Sequence, residues 1–463
     1  MSRKPALTAD AIAWGGPKVA SGFAYTEAGA GESLNAAVAD RLRYDHRRGR
    51  WLLWGGHRWV PDASGGVIRL ALEHVRRQQH RALDLTDRFE RSKAMDHWLK
   101  FDRRAALDNL LGLAKNLQPL ADDGAGWDRD PWLLGCDNGV LDIRTGTLRP
   151  GRPDDKITMS TGISFDPEAP CARWQRFISE VLIDPEVADF VWRALGYALT
   201  GDMREQVFFL FFGRGSNGKS TLLDVLVHVL GDYALVVPFG TFESERPGSI
   251  PVNVASMEGK RFVAASEGAG RWLHSSRLKD ITGGEQVSAR HLYGNPFAFR
   301  PVCKIVLSTN ELPKVADESD GLWRRVREVP FEQHFEGATD DRQLKDTLLT
   351  ESAGILAWLV RGCRAWQVRG LAAPAAVAAA TAQYRTDSDE LGRFFDEACE
   401  LVPGAETRAS DLYCHYKEWA SKAGLTDKER LTSTAFGTKA AARFKRTHGR
   451  SGAAYQGVSR ADM

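Results

Sequence analysis

A short glycine-rich stretch, GRGSNGKST, carries the clearest chemical signal in the chain. Gly213, Gly218, Lys219 and Ser220 satisfy the pattern GxxxxGK[ST], in which backbone N–H groups and a helix N-terminus surround phosphates. The lysine is expected to reach the β- and γ-phosphates, and the serine hydroxyl to bind Mg²⁺. A glycine-rich turn with a chance lysine is the alternative, but a buried strand precedes the loop and an amphipathic helix follows it. We therefore predict ATP and Mg²⁺ as cofactors, bound by Gly213, Arg214, Gly215, Ser216, Asn217, Gly218, Lys219, Ser220 and Thr221.

Two polar residues follow the next buried segments. Glu267 comes after FVAAS, and Asn310 comes after KIVLST. Because parallel sheets bind ligands at the carboxyl ends of their strands, we expect Glu267 to polarise water and, with Ser220, to hold the metal. Asn310 would hydrogen-bond phosphate and water, although an asparagine that begins the turn before Pro313 is the ordinary interpretation. A serine precedes Glu267 where many ATPases carry a second acid, so the other metal ligands are left open.

Two adjacent arginines, Arg324 and Arg325, precede a short apolar strand. Paired arginines usually form surface ion pairs. In a phosphoryl-transfer enzyme they can instead reach the nucleotide of a neighbouring subunit and stabilise the charge that develops there. Together with Lys219, Glu267 and Asn310 they complete the predicted catalytic set, and which arginine acts is left open.

A hairpin is predicted between the second and third buried strands. Segments 287–293 and 297–299 alternate in polarity around Gly294 and Asn295. Basic and aromatic side chains on such a hairpin can contact a phosphodiester chain and stack on bases, although an ordinary solvated hairpin fits the pattern equally well. The candidates for DNA contact are Lys279, Arg290, His291, Tyr293 and Arg300.

The C-terminal region is locally basic. No Asp or Glu occurs between Arg430 and Ala461, in a chain whose net charge is only +2. The pattern predicts two helices followed by a short hairpin or wing, a small DNA-binding arrangement, with a disordered basic tail as the alternative. The residues expected to contact DNA are Lys439, Arg443, Lys445, Arg446 and Arg450.

The elements around these residues indicate an α/β fold. From residue 205 the pattern is strand, helix, strand, as in a mostly parallel sheet with crossover helices. The 463 residues are enough for about three domains at ~150 residues each. The six cysteines form no CxxC pair, and neither a signal peptide nor an apolar run of ~18 residues is seen, so we expect a cytoplasmic location and no membrane partner.

The order of these motifs resembles that of the superfamily III helicases, and in particular the helicase half of the phage and plasmid primase family related to the poxvirus primase-helicase. The similarity extends over about residues 30 to 420 and includes GRGSNGKST, KDITGGE and the segment CDNGVLDIRTGTLRP. It implies an AAA+ P-loop core, ATP hydrolysis by a homo-oligomeric ring, usually a hexamer, and movement on single-stranded or forked DNA, usually 3′ to 5′. The family's lysine at the hairpin turn is replaced by Gly294 here.

The resemblance also implies the domain order. We expect a partly ordered lead-in at residues 1–40, an α+β accessory domain at 41–200, the motor at 201–385 and a basic winged-helix-like domain at 386–463. Relatives often carry a primase domain before the accessory domain; we expect none in this chain and a separate primase as partner. The main functional hypothesis is a replicative DNA helicase of a phage or mobile element, which would act in the bacterial host cytoplasm. An ATP-switched DNA-binding initiator or regulator is the alternative, and a small-molecule or nucleoside kinase is a weaker one.

Overall fold

The computed structural model describes residues 22–243, 252–266, 272–290, 294–315, 319–336, 341–425, 430–449 and 452–461. The chain forms two compact units. The first contains the residues up to Ala169 together with Val229–Tyr233, and the second contains Pro170–His228 and the residues from Ala234 onwards.

The first unit mixes helices with short strands. Its elements are α1 (Glu27–Val38), β1 (Leu42–Asp45), β2 (Arg50–Trp54), β3 (Trp59–Pro61), α2 (Gly66–Leu83), α3 (Arg88–Leu99), α4 (Arg104–Ala114), β4 (Ala121–Asp122), β5 (Leu133–Cys136), β6 (Gly139–Asp142) and β7 (Thr147–Arg149). Among the described residues the strands form two sheets, in the orders β3-β2-β1-β4 and β5-β6-β7.

Helix α1 lies within the segment that the sequence analysis assigned to a lead-in without periodicity. Thr26 caps it, since its side chain accepts a hydrogen bond from the Gly29 amide at 3.1 Å. Ala30, Leu34 and Val38 recur at helical spacing and are fully buried against α2 and α4. The alanine- and glycine-rich composition concealed this helix, because small side chains give a weak hydrophobic pattern but allow close packing.

The second unit holds the five-stranded parallel sheet. Its elements up to the last motor helix are α5 (Ala172–Val181), α6 (Pro185–Tyr197), β8 (Phe208–Phe212), α7 (Lys219–Leu230, whose last two residues pass into the first unit), β9 (Ala234–Val236), α8 (Val252–Ala255), β10 (Phe262–Ser266), α9 (Ser275–Gly283), β11 (Val287–Arg290), β12 (Pro296–Phe299), β13 (Lys304–Thr309), α10 (Asp320–Trp323), β14 (Val326–Pro330), α11 (Leu344–Thr350), α12 (Ser352–Arg369) and α13 (Ala375–Ser388).

The central sheet of this unit, as far as it is described, has five strands in the order β14-β8-β13-β10-β9. Every neighbouring pair is parallel. β8 (FFLFF) and β13 (KIVLST) are buried along almost their whole length, as expected for strands covered on both faces. The predicted parallel α/β core is therefore present.

Helices α5 and α6, which the sequence analysis placed in the accessory domain, belong to the second unit. The reason is the packing of α6 on α12 through two glycines. A Cβ on Gly196 would lie 2.1 Å from the Cys363 nitrogen, and one on Gly362 would lie 2.5 Å from the Trp192 carbonyl oxygen. Only glycine allows the two helix backbones to come this close.

The C-terminal elements surround a hydrophobic cluster of their own. They are α14 (Glu390–Ala398), β15 (Cys399–Glu400), β16 (Glu406–Arg408), α15 (Ala409–Lys422), α16 (Ser433–Arg443), β17 (Arg446–Gly449), β18 (Gly452–Gln456) and β19 (Ser459–Arg460). The buried aromatic residues Phe394, Tyr416, Phe436 and Tyr455 fill this cluster. Three strands pair in the order β16-β18-β17, so β17 and β18 form a hairpin directly after α16.

Candidate active site

The phosphate loop lies at the carboxyl-terminal edge of the parallel sheet. β8 ends at Phe212, which stands opposite Thr309, the last residue of β13. Because both strands run in the same direction, the loop after β8 and Asn310 after β13 leave the sheet side by side. The sequence analysis predicted this neighbourhood, and the structure brings the two segments together.

β13 separates the phosphate-loop strand from β10. Ser266, the last residue of β10, stands opposite Ser308 of β13, and both line the cavity over the loop. Two strand spacings amount to roughly 10 Å, which leaves space for a terminal phosphate and a water molecule between the loop and the end of β10. Glu267 is the next residue in the chain and lies outside the described residues.

Lys219 is the buried cation of the site. Its side chain is 4% exposed, and Nζ donates to Gly213 O at 2.5 Å, Asn217 Oδ1 at 3.0 Å and Asn310 Oδ1 at 3.1 Å. All three acceptors are neutral, and Lys219 forms no ion pair with a described residue. An ammonium group held this way carries an uncompensated positive charge at the edge of the sheet, which favours an anion.

Burial lowers the pKa of the Lys219 ammonium to about 8, because removal from water destabilises the charged form. A polyphosphate next to the ammonium would have the opposite effect, since a nearby negative charge favours protonation. Binding of an anionic ligand is therefore expected to raise the pKa of Lys219 and to increase the fraction that is protonated near pH 8.

Asn217 connects the lysine to the end of the neighbouring strand β14. It is 3% exposed; its Nδ2 donates to the Phe331 carbonyl at 3.2 Å, while its Oδ1 accepts from Lys219. Gly213 lies against the same carbonyl, and a Cβ there would come within 2.1 Å of the Phe331 oxygen. The glycine is thus required by close backbone approach, and Asn217 positions the lysine.

The loop backbone adopts two left-handed conformations, at Ser216 (φ 58°) and Gly218 (φ 85°). A Cβ on Gly218 would lie 2.4 Å from Val181 Cγ1 and 3.2 Å from the Phe177 ring. Val181 and Phe177 both belong to α5, so this helix packs directly against the loop at Gly218. Such alternation of backbone conformation turns successive N–H groups toward one point, the geometry of an anion-binding nest.

A cavity of about 280 Å³ opens over this loop. Ser220 is exposed at its surface. The cavity is lined by Gly215, Ser216, Asn217, Gly218, Lys219, Ser220, Thr221, Ser266, Ser308, Thr309 and Asn310. These residues supply hydroxyl and amide groups and one cation, but no carboxylate from the described part of the chain. The set suits a phosphate chain that brings its own magnesium ion, with the Ser220 hydroxyl as a protein ligand. Arg214 and Gly213 do not line the cavity, and Arg214 is exposed.

A second cavity of about 150 Å³ adjoins the first. Ser216, Gly218 and Thr221 line both. The second cavity adds three apolar side chains and three charged ones, namely Phe177, Phe335, Leu344, Arg173, Glu180 and Asp341. One ligand could therefore extend from a polar compartment into a partly apolar one.

The segment after β14 hydrogen-bonds to the backbone of the phosphate loop. His334 Nδ1 lies 2.8 Å from the Gly215 carbonyl oxygen, and the Phe335 amide donates to the Ser216 carbonyl at 2.7 Å. Sequence reasoning missed these residues, because they stand in an irregular segment far from the motif and show no periodicity. Only the fold brings them to the loop.

The two arginines predicted to reach a neighbouring subunit's nucleotide differ in their exposure. Arg324 caps α10 and its side chain is exposed. Arg325 is only 9% exposed and its Nη1 donates to the Gly321 carbonyl at 2.5 Å. Burial, and then the neighbouring Arg324, lowers the pKa of Arg325. The exposed Arg324 is therefore the one available to another molecule, while Arg325 holds α10 in place.

The predicted hairpin is formed by β11 and β12, with Val287 opposite Phe299 and Arg290 opposite Pro296. Arg290 and Arg300 are exposed at its ends. Lys279, on α9, is half-buried and is not part of the hairpin. His291 and Tyr293 lie outside the described residues.

In the C-terminal elements the basic residues divide into two groups. Lys445 and Arg446 are exposed at the start of the β17–β18 hairpin, and Lys439 is half-buried on α16. Arg443 ends α16 and forms an ion pair with Asp389, the residue that caps α14, at 2.5 Å. The sequence analysis assigned Arg443 to DNA, but the structure gives it an intramolecular partner. Arg450 lies outside the described residues.

Comparisons with known proteins agree with the geometry. Residues 31–183 match the family model described as "D5 N terminal like". Residues 211–325, which contain the phosphate loop, the hairpin and both arginines, match a family of unknown function, DUF5906. The chain thus carries a D5_N region and a DUF5906 region, which is consistent with the D5-like primase-helicase family.

Relatives of the chain come from large DNA viruses. A protein of Acanthamoeba polyphaga mimivirus named "Putative helicase" is 26% identical over 414 residues, which cover 81% of this chain and 43% of the relative. A protein of the same name from Frog virus 3 is 24% identical over 380 residues, covering 64% and 39%. An African swine fever virus protein named "Putative primase" is 27% identical over 325 residues, covering 63% and 33%. The chain thus spans less than half the length of each of these relatives.

Among solved structures, the C-terminal region of NrS-1 is similar to this chain, with a TM-score of 0.47 at 10% identity over 92% of this chain and 98% of that one. In the described part of the chain no helix is long and apolar enough to cross a membrane. Nor do three or more His, Cys, Asp or Glu side chains cluster there as a metal site would require.

Proposed function

We propose that this chain is an ATP-dependent DNA helicase of the phage or plasmid replication type, acting as a homo-oligomeric, hexameric ring on single-stranded and forked DNA. The observation that carries the proposal is the Lys219 ammonium, held by three neutral acceptors between the phosphate loop and Asn310. The relatives named helicases and primases support a role in replication. Movement in the 3′ to 5′ direction, a separate primase and a cytoplasmic location in the host are part of the same proposal and derive from the family resemblance.

Hydrolysis would follow the geometry of the cavity. Lys219 and the loop amides would hold the β- and γ-phosphates, while the Ser220 hydroxyl and Glu267 would bind Mg²⁺, which supplies charge neutralisation for the developing negative charge. Asn310 would orient a water molecule toward the γ-phosphorus. As the oxygen of that water bonds to phosphorus, the bond to the β–γ bridging oxygen breaks, and the proton of the water passes to Glu267.

The nucleoside would occupy the second cavity. Its walls begin at the same loop residues that line the phosphate cavity, and the rings of Phe177 and Phe335 offer the apolar contact that a base requires. The His334–Phe335 segment would hold the base against α5. Because both cavities are built from one unit of the chain, binding does not need a second subunit.

Hydrolysis in a ring would need the exposed Arg324. The exposed side chain of Arg324 can reach a nucleotide bound by a neighbour, whereas Arg325 is buried and donates to the Gly321 carbonyl. The AAA+ core, with subunits joined head to tail, is the arrangement in which such a contact closes into a ring.

The C-terminal elements would load the ring on DNA. Helix α15, helix α16 and the β17–β18 hairpin follow one another as in a winged-helix domain, and Lys439, Lys445 and Arg446 lie on α16 and the hairpin. The β11–β12 hairpin, with Arg290 and Arg300, would contact the strand that passes through the ring.

The test is steady-state ATP hydrolysis by the purified chain with and without single-stranded DNA, with light scattering to follow assembly. A motor predicts DNA-stimulated turnover by a hexamer. An ATP-switched initiator would assemble with ATP but turn over slowly with or without DNA, and a kinase would transfer phosphate to a small acceptor. A monomer without ATPase activity under all conditions would refute the proposal.

A further inference from the structure

A cavity of about 350 Å³ opens in the first unit. It lies between the end of α2, the loop that follows it, and α3. Its lining is part aromatic, part aliphatic and part polar, and consists of Tyr25, Gln78, Arg81, Ala82, Leu85, Ala94 and Trp98. The volume is within the range of clefts that bind small organic groups, ~300–1,000 Å³.

The polar group of this cavity is a buried amide. Gln78 is 6% exposed, and its Nε2 lies 3.5 Å from Ser33 Oγ, which in turn lies 3.1 Å from His74 Nε2. The other end of the Gln78 amide has no hydrogen-bond partner among the described residues. A buried amide that is held at one end and open at the other is suited to hydrogen-bond a planar polar ligand.

The aromatic groups form one wall. Trp98 is 5% exposed and is fixed by edge contacts with the rings of His74 and His97. Tyr25 packs against His97 at 5.5 Å between ring centroids and is half-buried. The half-buried Tyr25 ring offers a stacking surface and Gln78 a hydrogen-bonding group in the same cavity, while the buried Trp98 forms part of its wall.

The rim is positive. Arg77 and Arg81 are exposed one helical turn apart on α2, and the Lys93 ammonium lies 5.7 Å from the Tyr25 ring. Burial, followed by the charges of Arg77 and Arg81, lowers the pKa of His74 to about 4, so the two arginines act electrostatically on this part of the unit. Burial, and then the charge of Glu90, raises the pKa of the Tyr25 hydroxyl.

We propose that this cavity binds a nucleobase of a single-stranded nucleic acid, whose neighbouring phosphates contact Arg77, Arg81 and Lys93. Aromatic stacking surfaces within a positive groove are the general means by which single strands are held without sequence preference. The site would give the first unit a DNA-binding role that is independent of ATP hydrolysis. It is separate from the phosphate loop, so Lys219→Ala should leave it intact.

The experiment is photo-crosslinking of the full chain to a thymidine oligonucleotide that carries 5-iodouracil, followed by peptide mass spectrometry. We expect adducts on the peptides that contain Tyr25 or Trp98. The variant Arg77→Glu/Arg81→Glu should reduce those adducts about tenfold, and Tyr25→Ala should do the same, since one stacked base contributes about this factor. Arg129→Glu/Arg152→Glu changes the charge of the same unit equally at exposed positions outside the cavity and is the matched control.

Three results would overturn the proposal: adducts that avoid both peptides, equal losses in the two double variants, or adducts that persist unchanged in Arg77→Glu/Arg81→Glu. Thermal unfolding of each variant shows whether it has folded. If Arg77→Glu/Arg81→Glu does not fold, the test rests on Tyr25→Ala alone. That variant is expected to fold, because Tyr25 precedes α1 and caps no helix. Adducts that survive in Lys219→Ala separate this site from the motor proposal.

Discussion

The phosphate loop and the basic C-terminal elements are both rich in positive charge, but they use it differently. At the loop a single buried ammonium, Lys219, is fixed by three neutral acceptors. In the C-terminal elements the cations are spread over α16 and β17, and Arg443 is occupied by Asp389. A cation specifies a ligand site when buried acceptors hold it in one position, whereas a run of exposed cations specifies only the sign of a surface.

The largest expected effect comes from Lys219→Ala. Loss of the only cation that lines the described phosphate cavity should abolish ATP hydrolysis. The fold should be retained, because the lysine lies at the edge of the sheet, beside an open cavity. The measurement is turnover with saturating single-stranded DNA, alongside thermal unfolding. Lys345→Ala is the control, since that lysine forms an exposed ion pair with Asp224 on α7 and should change neither.

The next largest effect separates the two arginines. Arg324→Ala should lower turnover of the assembled protein by about 10³-fold without lowering thermal stability, because the exposed side chain would act on a neighbour's nucleotide. Arg325→Ala should instead destabilise the fold by about 1–3 kcal/mol, since it leaves the Gly321 carbonyl without its donor. Turnover and unfolding curves of both variants check this; the reverse assignment would show that the buried arginine acts.

A third comparison tests whether the exposed basic C-terminal residues contact DNA and the ion-paired Arg443 does not. Lys445→Glu/Arg446→Glu should weaken duplex DNA binding by roughly 10-fold to 100-fold at low salt and reduce the slope of log K against log salt by about 2. Arg443→Ala should leave that slope unchanged and cost at most about 1 kcal/mol of stability, because it removes a partly exposed ion pair. A salt series by fluorescence anisotropy distinguishes them. Equal slopes in the two variants would mean that exposure does not decide which cations contact DNA.

The variant Phe335→Ala tests whether the two cavities bind different parts of ATP. It should weaken ATP binding by about tenfold, through loss of ring contact with the base, and leave the binding of inorganic tripolyphosphate unchanged. Calorimetric titration with both ligands measures this. A parallel loss for tripolyphosphate would place Phe335 at the phosphates, and no loss for either would remove the second cavity from the site.

The smallest expected effect is a pH dependence. The free-state pKa of Lys219 is about 8, and a polyphosphate favours the charged form, so binding above pH 8 must take up a proton. Affinity for tripolyphosphate should therefore be full below pH 8 and fall by up to about tenfold per pH unit above it, until the raised pKa of the complex is reached. Titrations in buffers of different ionisation enthalpy detect the proton. Lys219→Arg should lose the part of the pH profile that comes from the lysine, because arginine stays charged, and retain only the part that comes from ionisation of the ligand.

The sequence predicted the parallel core and the neighbours Lys219 and Asn310, because a phosphate loop between a buried strand and a helix is a local pattern with one geometry. The hairpin at β11–β12 was also predicted from a local pattern, the alternation of polarity around Gly294 and Asn295. Helix α1 was missed since its small side chains give little periodicity. Phe177 and Phe335 could not be found, because they reach the loop from segments whose sequence carries no motif and only the tertiary fold brings them there. The partner of Arg443 is likewise a tertiary contact, 54 residues away in the chain.

The most direct test of the account is strand separation coupled to nucleotide hydrolysis, measured in one reaction on a forked duplex with a fluorescent strand. The account predicts that the wild-type chain separates the strands with ATP and not with a non-hydrolysable analogue. Lys219→Ala should do neither reaction while still binding the fork. Strand separation by Lys219→Ala, or by the wild type with the analogue, would contradict the claim that cleavage of a nucleotide in the Lys219 cavity drives movement on DNA.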